Sequence, residues 1–159
     1  MHRFFATLCL VGPVAACNDT PTSKPTNKAW VMPSRAESLA LHESCKGDIL
    51  CYFPKSLEQI GDLNTGRNMG GGAVLRDIKA HGSKTFVRWD VPQNMIKDLD
   101  EYGFPIGKRS YEASLKEYLK NNYCGEQNSR AYFAAGGQII LETYLPSGER
   151  FSRSVASSC

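Results

Sequence analysis

Two histidines, His42 and His81, are the candidates for acid–base chemistry beyond the N-terminal segment of the chain. A hydrolase triad would place one of them beside a serine nucleophile and an acidic side chain. The chain has many serines, but none lies in a Gly-x-Ser-x-Gly nucleophile elbow. His42-Glu43 also lacks the second histidine of a metalloprotease helix. We therefore interpret both histidines as surface residues, and we expect no catalytic residue and no enzyme activity.

Charged side chains also occur in small groups. Asp98, Asp100 and Glu101 form an acidic group, but a calcium site needs a loop with alternating oxygen ligands and a turn glycine. The basic groups are Lys108-Arg109 and the pair Arg150 and Arg153. We interpret all of these as solvated surface, and we expect no metal and no cofactor.

The N-terminus begins with the basic stretch Met1-His2-Arg3, and an apolar run from Phe4 to Ala16 follows it. A basic start, an apolar run of about 7–15 residues and small residues at its end are the layout of a secretory signal. The run is shorter than the roughly 20 apolar residues of a membrane-spanning helix. We therefore expect residues 1–16 to be a signal peptide.

The apolar run ends in Val14-Ala15-Ala16-Cys17, an aliphatic residue and two small residues before a cysteine. This stretch resembles the lipobox of bacterial lipoproteins. The resemblance implies that the Cys17 thiol receives diacylglycerol, that the chain is cut before it and that the new amino group is acylated. Several acyl chains anchor a protein stably, and Asn18, where aspartate would resemble an inner-membrane signal, favours the outer membrane. The alternative is an ordinary signal peptide cut nearby, with Cys17 in a disulfide.

Residues 18–28 are polar and contain proline, so they bury too little apolar surface to fold. We expect residues 17–30 to be the lipidated cysteine and a flexible tether, and residues 31–159 to be a single periplasmic domain. Trp30, at the end of the tether, either packs on the domain or contacts the membrane interface. Removing Arg3 from 19 basic residues leaves 18 against 16 acidic residues, a balance of +2. This balance is too even to indicate a nucleic-acid partner.

After Cys9 and Cys17 are set aside, four cysteines remain in an exported chain, and two disulfides are expected. Four cysteines allow three pairings. Cys45 and Cys51 flank a local loop with a glycine turn, so we pair them, which leaves Cys124 with Cys159. A zinc site is the rival interpretation, but the spacing has no paired Cys-x2-Cys motif.

Helices are predicted at several capping and periodicity signals. Ser34-Arg35-Ala36-Glu37 is a capping box that opens a helix to about Ser44, and Ser56-Leu57-Glu58-Gln59 is a second one before a short helix near Ile60. A loop is expected over residues 62–72 and another over residues 103–109. The remaining predicted helices cover residues 93–102, 111–123, with Ser110 as the cap, and 126–135.

Alternating patterns predict two hairpins, one over residues 73–91 around His81-Gly82-Ser83 and one over residues 138–156 around Pro146-Ser147-Gly148-Glu149. Hairpins grouped around a set of helices predict an α+β fold, with a small antiparallel sheet, helices on one face and disulfide bonds. Tyr111, Leu115, Tyr118 and Leu119 lie on one face of the helix before Cys124.

The second half of the chain resembles the AspS-type pilotins of type II secretion systems. The residues that carry the resemblance are the strand Thr85-Phe86-Val87-Arg88-Trp89, the helix that ends in Tyr123-Cys124-Gly125, the strand from Ile139 to Tyr144 and the last strand before Cys159. The resemblance implies a small lipoprotein with a compact α/β domain and a disulfide between the helix end and the C-terminus.

The same resemblance implies a function. A C-terminal segment of a secretin would fold as a helix in an apolar groove, and the lipid would carry the complex to the outer membrane. Tyr111, Leu115, Tyr118 and Leu119 are the candidate groove wall, unless their apolar face is simply core. The segment from Ser34 to Gly72, with its own cysteine pair, departs from that family, so the alternative function is a lipid-anchored inhibitor or immunity protein against a periplasmic toxin or wall hydrolase.

Overall fold

A computed structural model of the protein describes residues 30–96 and 106–159. The helices are α1 (Arg35–Ser44), α2 (Ile49–Asn64), α3 (Ile106–Tyr123) and α4 (Gln127–Ala134), with a short 3-10 helix at Gln93–Ile96. The strands are β1 (Asn68–Gly70), β2 (Ala73–His81), β3 (Lys84–Asp90), β4 (Gln138–Tyr144) and β5 (Arg150–Ala156). They form one five-stranded sheet in the order β1-β2-β3-β4-β5.

The predicted α+β fold is confirmed, but the sheet is mixed where a purely antiparallel sheet was expected. Both predicted hairpins are present, β2 with β3 and β4 with β5. Between them β3 and β4 run parallel, in a register that pairs Lys84 with Gln138 and Asp90 with Tyr144. The chain can return in this direction because α3 and α4 fill the connection between the two strands.

The helices lie on one face of the sheet, as predicted. Thr85, Val87 and Trp89 of β3 are buried there, and they are neighbours of Ile139 and Leu141 of β4. The Trp89 ring meets Tyr118 of α3 edge-on at 5.1 Å, and the Thr85 hydroxyl lies 3.3 Å from the Tyr132 hydroxyl of α4. The core therefore forms between the sheet and α2, α3 and α4, since burying such a face is the main source of stability in a domain of this size.

The second predicted helix begins earlier and is longer than the sequence indicated. Asp48 is the N-cap of α2, and its side chain accepts a hydrogen bond of 2.9 Å from the Leu50 amide. The capping box at Ser56 therefore lies inside a helix and does not begin one. The capping box at Ser34 is confirmed, because Ser34 and Glu37 exchange both of its hydrogen bonds.

Two predicted loops also contain regular structure. Within residues 62–72, α2 continues to Asn64 and β1 pairs with the start of β2. Within residues 103–109, α3 already begins at Ile106, so Ser110 lies inside the helix and is not its cap. The expected signal peptide, Cys17 and residues 18–29 of the expected tether lie outside the described residues. The acidic group from Asp98 to Glu101 and most of the predicted helix over residues 93–102 lie outside them as well. No helix in the described ranges is long and apolar enough to cross a membrane.

Both predicted disulfides are present. Cys45 is bonded to Cys51, which ties the end of α1 to the first turn of α2. Cys124 is bonded to Cys159, which ties the end of α3 to the last residue of the chain.

Candidate partner-binding groove

The four residues predicted as a groove wall lie between α3 and the sheet. Leu115 and Leu119 retain 4% and 1% of their accessible surface, and both belong to the main core. Tyr111 and Tyr118 are half-buried and pack against the same core. The two leucines therefore fit the alternative left open at the level of the sequence, in which the apolar face of this helix is core and packs on β4 and β5.

Burial shifts the ionisation of the two tyrosines. Removal from water disfavours the charged phenolate, and this raises the pKa of Tyr111 to about 12. Burial also raises the pKa of Tyr118. Both side chains are therefore neutral at physiological pH and act as packing groups.

The two histidines are exposed, and each one contacts an aromatic ring. The His42 ring meets Tyr52 edge-on at 5.4 Å, and the His81 ring meets Phe86 edge-on at 5.6 Å. Across residues 30–96 and 106–159, no cluster of three or more His, Cys, Asp or Glu side chains is placed to hold a metal ion.

An open groove lies instead between the first half of α2 and the turn that joins β2 to β3. It has a volume of about 460 Å³. Leu50 and Ala80 supply partly exposed apolar surface, and Cys51 of the first disulfide and the buried Pro54 also line the groove. The remaining lining residues are Asp48, Lys55, Glu58, Gly82 and Ser83. Apolar surface with a few polar groups at its rim is the usual composition of a ligand-binding groove.

A proline lies within the part of α2 that lines the groove. Pro54 lies inside α2 and has no backbone N–H, so the Leu50 carbonyl lacks the donor that the fourth residue along a helix normally supplies. Leu50 and Pro54 both line the groove.

Glu58, one of the lining residues, belongs to a group of ion pairs next to the groove. Lys79 of β2 lies 3.3 Å from Glu58 and 3.2 Å from Asp62, both on α2. The hydrogen bonds to Asp62 and then Glu58 raise the pKa of Lys79, because the two carboxylates favour its charged form. Lys55 is exposed at the rim and is the cation best placed to meet an acidic group on a partner.

None of the four residues predicted as a groove wall lies in this groove. A helix start at Ser56 left Leu50 and Pro54 outside the helix, since a proline normally ends one. A usable signal was present: Asp48 precedes an apolar series at residues 49, 53, 57 and 60, which is helical spacing from an acidic N-cap.

Neither a protein-family model nor a curated protein matches the sequence. Three solved structures are similar to this chain. A predicted secreted protein from Pseudomonas aeruginosa has a TM-score of 0.52 and 10% identity, over 78% of this chain and 95% of that chain. This likeness shows a shared fold.

The other two are pilotins of type II secretion systems. EpsS from Vibrio vulnificus has a TM-score of 0.41 and 8% identity, over 77% of this chain and 93% of that chain. AspS from Vibrio cholerae has a TM-score of 0.39 and 13% identity, over 76% of this chain and 93% of that chain.

Proposed function

We propose that this protein is a lipid-anchored protein of the bacterial cell envelope that binds a segment of another protein and catalyses no reaction. The observation that carries the proposal is the open groove beside α2, whose partly exposed apolar surface comes from Leu50 and Ala80. The groove offers recognition groups, and neither histidine of the described residues is among its lining residues.

The partner in this proposal is the C-terminal segment of a secretin, so the role is pilotin-like. The support is the sequence resemblance, whose order of strands and helices and whose Cys124–Cys159 bridge recur in the fold. The segment would lay apolar side chains against Leu50 and Ala80. The lipid on Cys17 would hold the complex at the outer membrane, on its periplasmic side.

Binding of labelled peptides tests this proposal. The peptides come from the C-termini of the secretins of the same bacterium. Their fluorescence anisotropy should rise when the purified protein is added. Ala80→Arg fills the groove with a long charged side chain and should weaken binding at least about tenfold, a loss of roughly 1.4 kcal/mol. Ala134→Arg places the same side chain on an exposed position of α4, and it should leave the affinity unchanged.

A second pair of variants covers the case in which Ala80→Arg disturbs the hairpin. Lys55 and Lys116 are both exposed on helices, but Lys55 lies at the groove and Lys116 on α3. Lys55→Glu should weaken binding of an acidic peptide, whereas Lys116→Glu should not. Equal affinities for all four variants, or no binding by the wild type, would refute the proposal.

A further inference from the structure

The end of the domain where the tether arrives carries an exposed apolar cluster. Trp30, Val31, Met32 and Leu63, here called the apron, have 44%, 46%, 63% and 46% of their accessible surface exposed. Large apolar side chains exposed together mark a surface that meets another apolar phase or molecule, whereas single ones need no explanation.

The apron is held on the domain by specific contacts. The Val31 amide donates to the Asn64 side-chain oxygen at 2.9 Å, and the Asn64 side-chain amide donates to the Val31 carbonyl at 2.7 Å. Asn64 is itself 5% exposed and also donates to the Ile60 carbonyl at 2.7 Å. The extended segment before α1 is therefore fixed beside the end of α2, with its apolar side chains directed away from the core.

Cationic groups adjoin the apron. The Arg67 guanidinium lies over the Trp30 ring, 4.4 Å from its centre, an arrangement in which the cation is attracted to the aromatic face. Arg35 is exposed at the start of α1, three residues after Met32. An amphipathic tryptophan beside arginines suits the headgroup level of a bilayer that contains anionic lipids.

If Cys17 carries the lipid anchor, the short segment between Cys17 and Trp30 keeps the apron close to the membrane. Trp30 lies thirteen positions after Cys17, and a random-coil chain of that length has a typical end-to-end distance of about 20 Å. Tethering at this distance gives a surface with weak membrane affinity a high effective concentration of lipid.

We propose that the apron is a membrane-docking surface: Trp30, Val31, Met32 and Leu63 enter the headgroup boundary of the bilayer, Arg67 holds the Trp30 ring in place, and the exposed Arg35 faces its anionic lipids. The inference rests on the lipid anchor of the proposed function. Docking would fix the orientation of the domain on the membrane, with the N-terminal end of α1 and the C-terminal end of α2 against the lipid, and leave the groove at the start of α2 facing the periplasm.

Quenching of Trp30 by brominated lipids tests this surface. The full acylated protein is reconstituted in phosphatidylethanolamine–phosphatidylglycerol vesicles whose acyl chains carry bromine. The chain has two tryptophans, and Trp89 is 5% exposed in the core, so the difference between wild type and Trp30→Phe reports Trp30. We expect loss of most of the Trp30 emission and no loss for the Trp89 that remains in the variant.

Matched substitutions connect the signal to the apron. Met32→Ser with Leu63→Ser should restore much of the Trp30 emission, whereas Val155→Ser, at a residue 43% exposed on β5, should leave the quenching as in wild type. Unquenched Trp30 on vesicles that carry the protein would overturn the inference. A Trp30 signal that shifts with protein concentration without vesicles would also overturn it, because the apron would then cover a second copy.

The same experiment distinguishes failure of the lipid anchor from failure of the membrane-docking surface. Protein that does not remain with the vesicles lacks the anchor, which contradicts the proposed function. The Cys17 thiol is then coupled to a maleimide-bearing lipid, and the Trp30 quenching is measured again in the same way. Quenching in the coupled form supports the apron, and its absence there overturns it.

Discussion

At the scale of single residues, the closest approach between a helix and the sheet depends on Gly61. A methyl group at this position would lie 2.6 Å from the Ile78 Cβ and 3.0 Å from the Ile78 amide nitrogen. Neither neighbour can move easily, because Ile78 is 4% exposed in the centre of β2. Gly61 therefore sets the distance at which α2 packs, and with it the width of the groove between α2 and the β2–β3 turn.

Gly61→Ala should lower the free energy of unfolding by about 1–2 kcal/mol, since the overpacking outweighs the roughly 1 kcal/mol that alanine gains in a helix. Urea unfolding followed by circular dichroism measures the change. Gly125→Ala is the matched control, because its nearest neighbour would lie 3.9 Å away. An equal effect at both positions would show that α2 does not pack as described.

Tyr111 makes a prediction about pH. Its pKa is raised from 10.0 to about 12 in the folded protein, so folding favours its protonated form. Its contribution to stability is fully present below pH 10 and is lost as the pH rises from about 10 to 12. Tyr111→Phe cannot ionise, so the free energy of unfolding should fall less steeply across this window than in wild type. Parallel urea unfolding series at pH 9 to 12 measure the two slopes, and identical slopes would contradict the burial of this hydroxyl.

At the scale of elements, the two disulfides should differ in what they stabilise. The loop closed by Cys124 and Cys159 spans 35 residues, whereas that of Cys45 and Cys51 spans 6. In the chain-entropy model these lengths correspond to about 4 and about 2 kcal/mol. Replacing each pair by serines and measuring urea unfolding should reproduce this order.

The small bridge should also have a local effect. Of the ten residues of α1, none is buried, so α1 depends on its connection to α2 more than on a core. Cys45→Ser with Cys51→Ser should speed hydrogen exchange throughout α1 while β3 and β4 keep their protection. Uniform loss of protection across the sheet would show instead that α1 and the core form one cooperative unit.

The four strands of the two hairpins and the short disulfide were predictable from the sequence because they leave local signals. The alternation of Thr85, Val87 and Trp89 specified the buried face of β3, and the short loop from Cys45 to Cys51 specified its bridge. The direction of β4 relative to β3 was not predictable. Alternation of apolar and polar residues shows which face of a strand is buried, but it does not show which strand lies next to it. The run Ile139-Ile140-Leu141, buried on both faces, was the available sign of a central strand with a parallel neighbour.

The groove was missed for a different reason. It forms where α2 meets the turn around Gly82 and Ser83, two segments about thirty residues apart in the chain. An amphipathic face predicts that a helix packs on another element of the domain. For the face with Leu115 and Leu119, that element is the sheet. Which apolar residues stay open after packing is a property of the assembled elements.

At the scale of the whole molecule, the anchor should decide where the protein resides. Cys17→Ala removes the thiol that would carry the lipid, so this variant should move from the membrane fraction to the soluble periplasmic fraction. The folded domain should be unaffected, since its disulfides do not involve Cys17. Fractionation with immunoblotting measures the distribution, and a variant that remains in the membrane fraction like the wild type would exclude the anchor.

Affinity purification of the full-length protein from gently solubilised native membranes tests the central claim most directly. Wild type and Ala80→Arg are purified in parallel, and the proteins that accompany each are quantified by mass spectrometry. We predict that a secretin accompanies the wild type, is displaced by its own C-terminal peptide and is absent from the Ala80→Arg sample. A soluble toxin or wall hydrolase in place of the secretin, or the same partners with both forms, would contradict a pilotin-like role for the groove.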